Sequence, residues 1–436
     1  MTLLIISPDY ASHLLPLATL GTAWREAGEH VVVATGEATA SIVESFGFER
    51  VHLQLGRGSN PGVIRAEEQP TGEDDALRGF FEATRHGMVE TLRFQAEARL
   101  TDLMWQPVET ARAVLAVIDQ VQPAEIIVDH LAFSARLAMD AAGLSYADVV
   151  LGHPTALPVG AEVYGYPPVW PAAFTPDPAA LAELRALCER VSENFTAEWN
   201  AALAELSPAR PPSPSAFNAH GELLLLNYPA ALAAPERGAL LPQHQFLGSA
   251  VRDEPRDEQV EQWLAENSEP FVYISFGSFL SVRDDVLARV CSALRILGVR
   301  AAIATGSADA AALGPLPPEW LVRGFLPQVR LLTAAAAAVT HGGNNSVTEA
   351  MTHGVPLVVL PFSTDQFAAA EAIERNGFGR ALAPNTATVE ELAAAIGFAL
   401  NLAGESRARL EALSASLTQE PGRIRARSAL NSLRTN

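Results

Sequence analysis

The sequence predicts an α/β fold made of two doubly wound parallel sheets, one in each half of the chain. Three observations carry this. Short apolar runs alternate with stretches of helical spacing, the signature of βαβ units. Each half opens on such a unit. Between the halves lies Pro229 to Asp257, rich in Pro, Gly and charge, which reads as a linker. Residues 1–228 are thus expected to form one domain, 229–257 the linker and 258–436 a second domain, the two facing across a cleft.

The elements follow in order. Leu3–Ile6 is a buried strand and Ser7–Ser12 a loop. Helical spacing of Leu14, Leu17, Leu20 and Trp24 comes next, with Pro16 expected in the first turn, where proline is tolerated. Gly28 ends this helix and His30–Ala34 is the second strand. Residues 56–75 read as a long polar loop, of the kind that is functional or disordered. A helical region then runs to about Gln122, Glu125–Asp129 is a strand, and a helix reaches Ala142. Asp148–Leu151 is a further strand, leading into a Pro- and Gly-rich loop with Tyr164, Tyr166 and Trp170. Glu222–Asn227 reads as the last strand of the first half.

The second half repeats the plan, with strand Phe271–Phe276, a turn at Gly277-Ser278, helix Asp284–Leu297 and strand Arg300–Ala304. Its central feature is a strand over Ala334–Val339, broken at Gly342-Gly343 and followed by a helix from Ser346 that Gly354 and Pro356 end; Leu357–Leu360 is the next strand. The first N–H groups of a helix have no partner within it and carry partial positive charge. Glycines clear the way for an anion to reach them. No Lys or Arg lies between His341 and Glu371, so a diphosphate here depends on dipoles, hydroxyls and His341. The tail from Val389 to Leu433 reads as helices.

Composition sets the outer limits. The chain has 436 residues and a formal charge of −20, which argues against nucleic acid and anionic membrane as partners. No apolar run is long enough to span a membrane, and the first residues lead directly into a strand, so neither a membrane span nor a signal peptide is expected. Two cysteines far apart in sequence, Cys188 and Cys291, suggest reduced thiols and a cytoplasmic protein. The absence of G-x-G-x-x-G from the opening βαβ unit counts against a dinucleotide cofactor and a dehydrogenase.

Three blocks carry a resemblance: Arg323-Gly-Phe-Leu-Pro-Gln-Val-Arg-Leu-Leu332, Thr340-His-Gly-Gly-Asn-Asn-Ser-Val-Thr-Glu349 and Pro361-Phe-Ser-Thr-Asp-Gln366. Together they resemble the donor-binding signature of family 1 nucleotide-sugar-dependent glycosyltransferases, the superfamily of UDP-glycosyltransferases and antibiotic glycosyltransferases. Ser12-His-Leu-Leu-Pro16 is similar to that family's His-x-x-Pro. The resemblance implies a GT-B fold, with acceptor in the first Rossmann-like domain and nucleotide sugar in the second. It implies that Phe325 stacks on the base, that the backbone near Gln328 and Val329 bonds its edge, and that Glu349 accepts from the ribose. Ser278, His341, Gly343, Asn344, Asn345 and Ser346 are implied around the diphosphate, and Asp365 and Gln366 on the sugar. His13 is implied as the base that takes the acceptor proton, with Asp129 orienting it.

The activity so implied is inverting transfer of a hexose from a UDP- or dTDP-sugar to a hydroxyl, or a nitrogen, of a hydrophobic small molecule such as a polyketide, macrolide or phenol. Phe80, Phe81, Phe133, His153 and Trp170 are the expected acceptor pocket. No cofactor or metal is expected, since the chain has no Asp-x-Asp pair, and the protein is expected to be a monomer or homodimer. A nucleotide-sugar epimerase on a similar fold and a catalytically silent helper protein are the alternatives. Several of the same residues also suit helix starts: Ser346-x-x-Glu349 and Ser363-x-x-Gln366 are capping boxes, and Asp129 could cap its helix.

Overall fold

The computed structural model describes residues 1–62, 73–100, 103–280, 282–308 and 310–435. Seven strands form the first sheet: β1 (Thr2–Ile6), β2 (His30–Thr35), β3 (Glu49–His52), β4 (Glu125–Asp129), β5 (Ala147–Val150), β6 (Leu223–Leu226) and β7 (His244–Phe246). Six form the second: β8 (Phe271–Ser275), β9 (Arg300–Ala304), β10 (Leu321–Arg323), β11 (Ala337–Thr340), β12 (Leu357–Val359) and β13 (Gly379–Ala381). The orders are β3-β2-β1-β4-β5-β6-β7 and β10-β9-β8-β11-β12-β13, and every pairing is parallel. Helices cover both faces, so strands such as Leu3–Ile6 and Leu223–Leu226 are apolar throughout and buried.

Strand order reverses direction between β1 and β4 in one sheet and between β8 and β11 in the other. Open α/β sheets bind ligands outside the carboxyl ends of their strands at such switch points. The carboxyl ends of these four strands and the segments leaving them carry His13, Asp129, Gly277 and His341. Topology is therefore enough to gather them in two pairs, one at the carboxyl edge of each sheet.

The local elements differ from expectation in a few places. The helix after β1 begins at Ala11, so Pro16 lies inside it and not in its first turn. The helix after Gly343 begins at Asn344, two residues earlier than expected, because Gly343 is already its extended N-cap. Helices Glu73–His86, Met88–Arg99 and Pro107–Val121 make up the region before β4. Residues 63–72 of the expected polar loop lie outside the described residues. Among the described residues no helix is long and apolar enough to cross a membrane.

Two elements lie elsewhere than the expected domain boundaries put them. Strand β7 falls within 229–257 and extends the first sheet beside β6. The last helix, Gly422–Thr435, packs against the first half: Ala426 and Leu430 join Leu3, Leu14, Leu17 and Trp24 in one apolar cluster. Arg427 pairs with Glu29 at 2.6 Å and Arg434 with Glu125 at 2.9 Å. Local pattern marks this segment as a helix but does not say which sheet it covers. Leu430→Ala is expected to lower stability by about 2–3 kcal/mol, through lost burial and a residual cavity, read as a lower urea midpoint at unchanged slope.

Candidate active site

A cavity of about 780 Å³ lies between the carboxyl edges of the two sheets and is lined from both. On its first wall, β1 and β4 pair in register with Ile6 opposite Val128. That register sets His13, in the first turn after β1, beside Asp129, the last residue of β4. His13 Nδ1 lies 2.7 Å from Asp129 Oδ2, and Asp129 Oδ1 accepts the Leu131 N–H at 2.8 Å. Asp129 is buried, whereas the His13 side chain keeps 25% of its surface exposed. Burial alone would lower the His13 pKa, but the Asp129 charge and hydrogen bond, helped by Asp365, raise it above 6.5. With Nδ1 held by the carboxylate, Nε2 is the ring nitrogen free to exchange a proton.

Pro16 has a part in this geometry. Proline has no N–H to give the carbonyl four residues back, which here is Ser12. That carbonyl instead accepts from Asn345 Nδ2 at 3.0 Å, across the cleft. The residue just before His13 is thus tied to the first turn of helix Asn344–Thr352, which follows the loop after β11.

The second wall is built around that loop. Gly342 has φ +87°, and a Cβ there would lie 2.7 Å from Val359 Cγ1, so the turn requires glycine. The His341 ring fits against Gly277, where a Cβ would approach it to 2.8 Å. Burial pushes the His341 pKa down to about 4, so the ring is neutral at pH 7. The chain contains no lysine at all. An anion at the start of helix Asn344–Thr352 therefore meets N–H dipoles and neutral donors, not a cation from this loop. Gly343, Asn345 and Ser346 line the cavity there. The side chain of Ser278 lies outside the described residues.

Phe325 projects into the cavity with 65% of its surface exposed, as a stacking residue requires. Val329 is buried and does not line the cavity. Glu349 is buried, with Oε1 3.0 Å from Arg252 and Oε2 accepting from Gln328 Nε2 at 2.6 Å. Burial raises the Glu349 pKa, and Arg252 and Gln328 only partly offset it. Arg252 sits in the segment expected to be linker, and nothing in its local sequence marks it as a cavity residue.

Three polar residues expected at the donor have other partners. Asn344 donates through Nδ2 to the carbonyls of Leu151 and Asn227, at 2.7 and 2.8 Å, and so ties the helix start to the ends of β5 and β6. The side-chain Oε1 of Gln366 accepts from the N–H groups of Phe362 and Ser363, at 2.9 and 3.1 Å, and its Nε2 donates to Ser363 Oγ. It closes its own loop, but not as the expected capping box: the helix begins at Gln366 itself, with Asp365 as its N-cap and no side-chain cap bond. Asp365 accepts from the His153 N–H at 2.5 Å and from Thr364 Oγ1 at 3.0 Å. Burial raises its pKa. Thr364 has φ +50°, a left-handed conformation that a β-branched residue rarely adopts, and it holds Asp365 at the cavity wall.

The expected acceptor pocket needs correcting. Phe80 lines the cavity, but Phe81 does not and packs beside Phe80. Phe133 is a core residue, packed on Phe195 and Phe217. His153 is buried against Tyr228, and Trp170 packs on Tyr166. Tyr10, Leu77, Phe94, Leu131, Tyr164 and Tyr166 form the wall instead. An aromatic residue in a sequence is equally suited to core and pocket, and only the orientation of its element separates the two.

Known proteins bear on this geometry. The family model for UDP-glucoronosyl and UDP-glucosyl transferase matches residues 183–406, just over half of the chain. Demethyllactenocin mycarosyltransferase of Streptomyces fradiae is 31% identical over 159 residues, 34% of this chain and 32% of that protein. The match thus spans about a third of that relative's length. Zeaxanthin glucosyltransferase of Pseudescherichia vulneris is 26% identical over 400 residues, 86% of this chain and 84% of that protein. The crystal structure of the glycosyltransferase of kitacinnamycin superposes with a TM-score of 0.67 at 20% identity, covering 99% of this chain and 98% of that one, which makes the fold GT-B. The family match takes in all six strands of the second sheet and the turn at Gly342, so it rests on the residues that build the second wall of the cleft, and the protein belongs to the UDP-glucoronosyl and UDP-glucosyl transferase family.

Proposed function

We propose that the protein is an inverting glycosyltransferase that moves a hexose from a UDP- or dTDP-sugar to a hydroxyl, or a nitrogen, of a hydrophobic small molecule. The observation that carries this is the His13–Asp129 pair facing the start of helix Asn344–Thr352 within one cavity. The acceptor oxygen attacks the anomeric carbon while His13 Nε2 takes its proton. The bond from that carbon to the diphosphate oxygen breaks, and its electron pair leaves with the diphosphate. Helix N–H dipoles stabilise the leaving group. Asp129 stabilises the imidazolium, as in a Ser-His-Asp system whose nucleophile is replaced by the substrate.

Phe325 stacks on the base and Glu349, steadied by Arg252 and Gln328, accepts from the ribose. The apolar wall around Leu77, Phe94 and Leu131 receives the acceptor, a surface that an epimerase has no use for. The enzyme works in the cytoplasm, as monomer or homodimer, and needs no cofactor beyond its nucleotide sugar.

Calorimetry with UDP, dTDP, GDP and NADH tests this. UDP or dTDP is expected to bind, and Glu349→Ala to weaken that binding about tenfold or more, the worth of hydrogen bonds to a charged group. Arg252 keeps Glu254, 2.7 Å away, as its partner in the variant, which limits collateral damage. Binding of NADH alone, or of no nucleotide, would overturn the reading.

A further inference from the structure

Resting on the glycosyltransferase reading, we infer that Arg99 receives a carboxylate carried by one of the two substrates. Arg99 ends helix Met88–Arg99, and that helix's last turns reach the cavity through Gln95, Ala98 and Arg99. Gln95 and Arg99 are four residues apart and share a helix face. The guanidinium lies 5.2 Å from the centroid of the Tyr164 ring. Tyr164 stacks on Phe217 at 3.8 Å, and Phe217 on Phe195 at 4.4 Å, both of these in the core. The arginine therefore rests on a column anchored in the protein interior. Gly165 leaves the space beside it: a Cβ there would lie 2.9 Å from Nη1, at a φ of +82°.

Such a platform orients the planar group while leaving its edge N–H donors for another partner. Among the described residues no carboxylate pairs with Arg99, although the chain has 50 acidic residues against 30 basic ones. The other arginine of the cavity wall, Arg252, is paired with both Glu349 and Glu254. Gln95 adds a second polar point of the opposite need: its Oε1 is buried without a hydrogen-bond partner among the described residues and can accept from a hydroxyl of the same ligand, not from its carboxylate. Surface stacking alone would account for a cation over Tyr164, but not for one set on the wall of the cavity with no carboxylate beside it among the described residues.

A carboxylate at this point has two sources open to it. It can belong to the acceptor, whose apolar wall Arg99 borders, or to a uronic acid donor, since Asp365, the residue expected at the sugar, lines the same cavity as Arg99. Bidentate recognition of a carboxylate is the geometry that arginine suits best. The experiment compares acid and neutral partners in each arm by calorimetry. One arm sets UDP-glucuronate against UDP-glucose. The other, with UDP present, sets hydroxylated aromatic acids of increasing ring count against their methyl esters. Wild type and Arg99→Gln are measured in both.

In one arm the acid is expected to bind about tenfold or more tightly than its neutral match. Arg99→Gln should erase that advantage and leave the neutral ligand and UDP itself unchanged, which also shows that the variant is folded. An advantage for UDP-glucuronate assigns the carboxylate to the donor, and one for the aromatic acids to the acceptor. No preference for acid in either arm, or a preference that survives in Arg99→Gln, overturns the inference. Failure of UDP and dTDP to bind wild type would instead sink the glycosyltransferase reading on which it rests.

Discussion

His13→Ala is expected to reduce sugar transfer by about 10²–10⁴-fold, the usual contribution of a positioned general base, while UDP or dTDP affinity stays within about twofold. The reason is a separation of duties across the cleft. His13 belongs to the first wall, and its bond is to Asp129 on a neighbouring strand. The residues proposed to face a nucleotide, Phe325, Gln328 and Glu349, belong to the second. Truncating the imidazole leaves their contacts as they are. The Ser12 carbonyl is a backbone group, so its bond to Asn345 also survives the substitution. Single-turnover transfer, measured beside nucleotide calorimetry, reads the two effects separately. A variant with full turnover would place the base elsewhere.

Asp129→Asn is expected to lower transfer by about 10³–10⁴-fold, as for an orienting carboxylate replaced by its amide in a related triad, and to move the pH profile. The direction follows from the balance of causes at His13. Burial lowers its pKa, and Asp129 more than restores it. In the proposed mechanism the neutral ring is the base, so wild-type activity is expected to rise with pH through a value above 6.5. Without the Asp129 charge, burial dominates and the rising limb moves below that of the wild type. The amide can still accept the Leu131 N–H, so the loop after β4 is retained. Rates from pH 5 to 9 check this; an unshifted limb in the variant would show that some other group sets the profile.

Much of the architecture is legible in local pattern. Strands buried on both faces are apolar runs, and the turns between strand and helix carry glycine where φ is positive, as at Gly342. The three blocks of the second half, with Ser12–Pro16 of the first, point to the family and pair His13 with Asp129. The register of β1 against β4 then converts a separation of 116 residues into a 2.7 Å contact. Arg252 and Arg99 are not legible in this way. Neither lies in a motif, and what distinguishes each is the set of neighbours it has or lacks.

Sequence alone dictates which segments become strands, where most chain reversals fall, and which residue types stand at the carboxyl edges of the sheets. These follow from periodicity and backbone conformation, which are properties of a few neighbouring residues. What each polar group bonds is settled only when the elements pack. Asn344 ties two sheets together, Gln366 closes its own loop, and Asp365 reaches the His153 N–H. Packing likewise sends Phe133 into the core and Tyr166 to the cleft. A side chain's partners depend on which face of its element meets which neighbour, and that is a property of the assembled domains, not of any short stretch of chain.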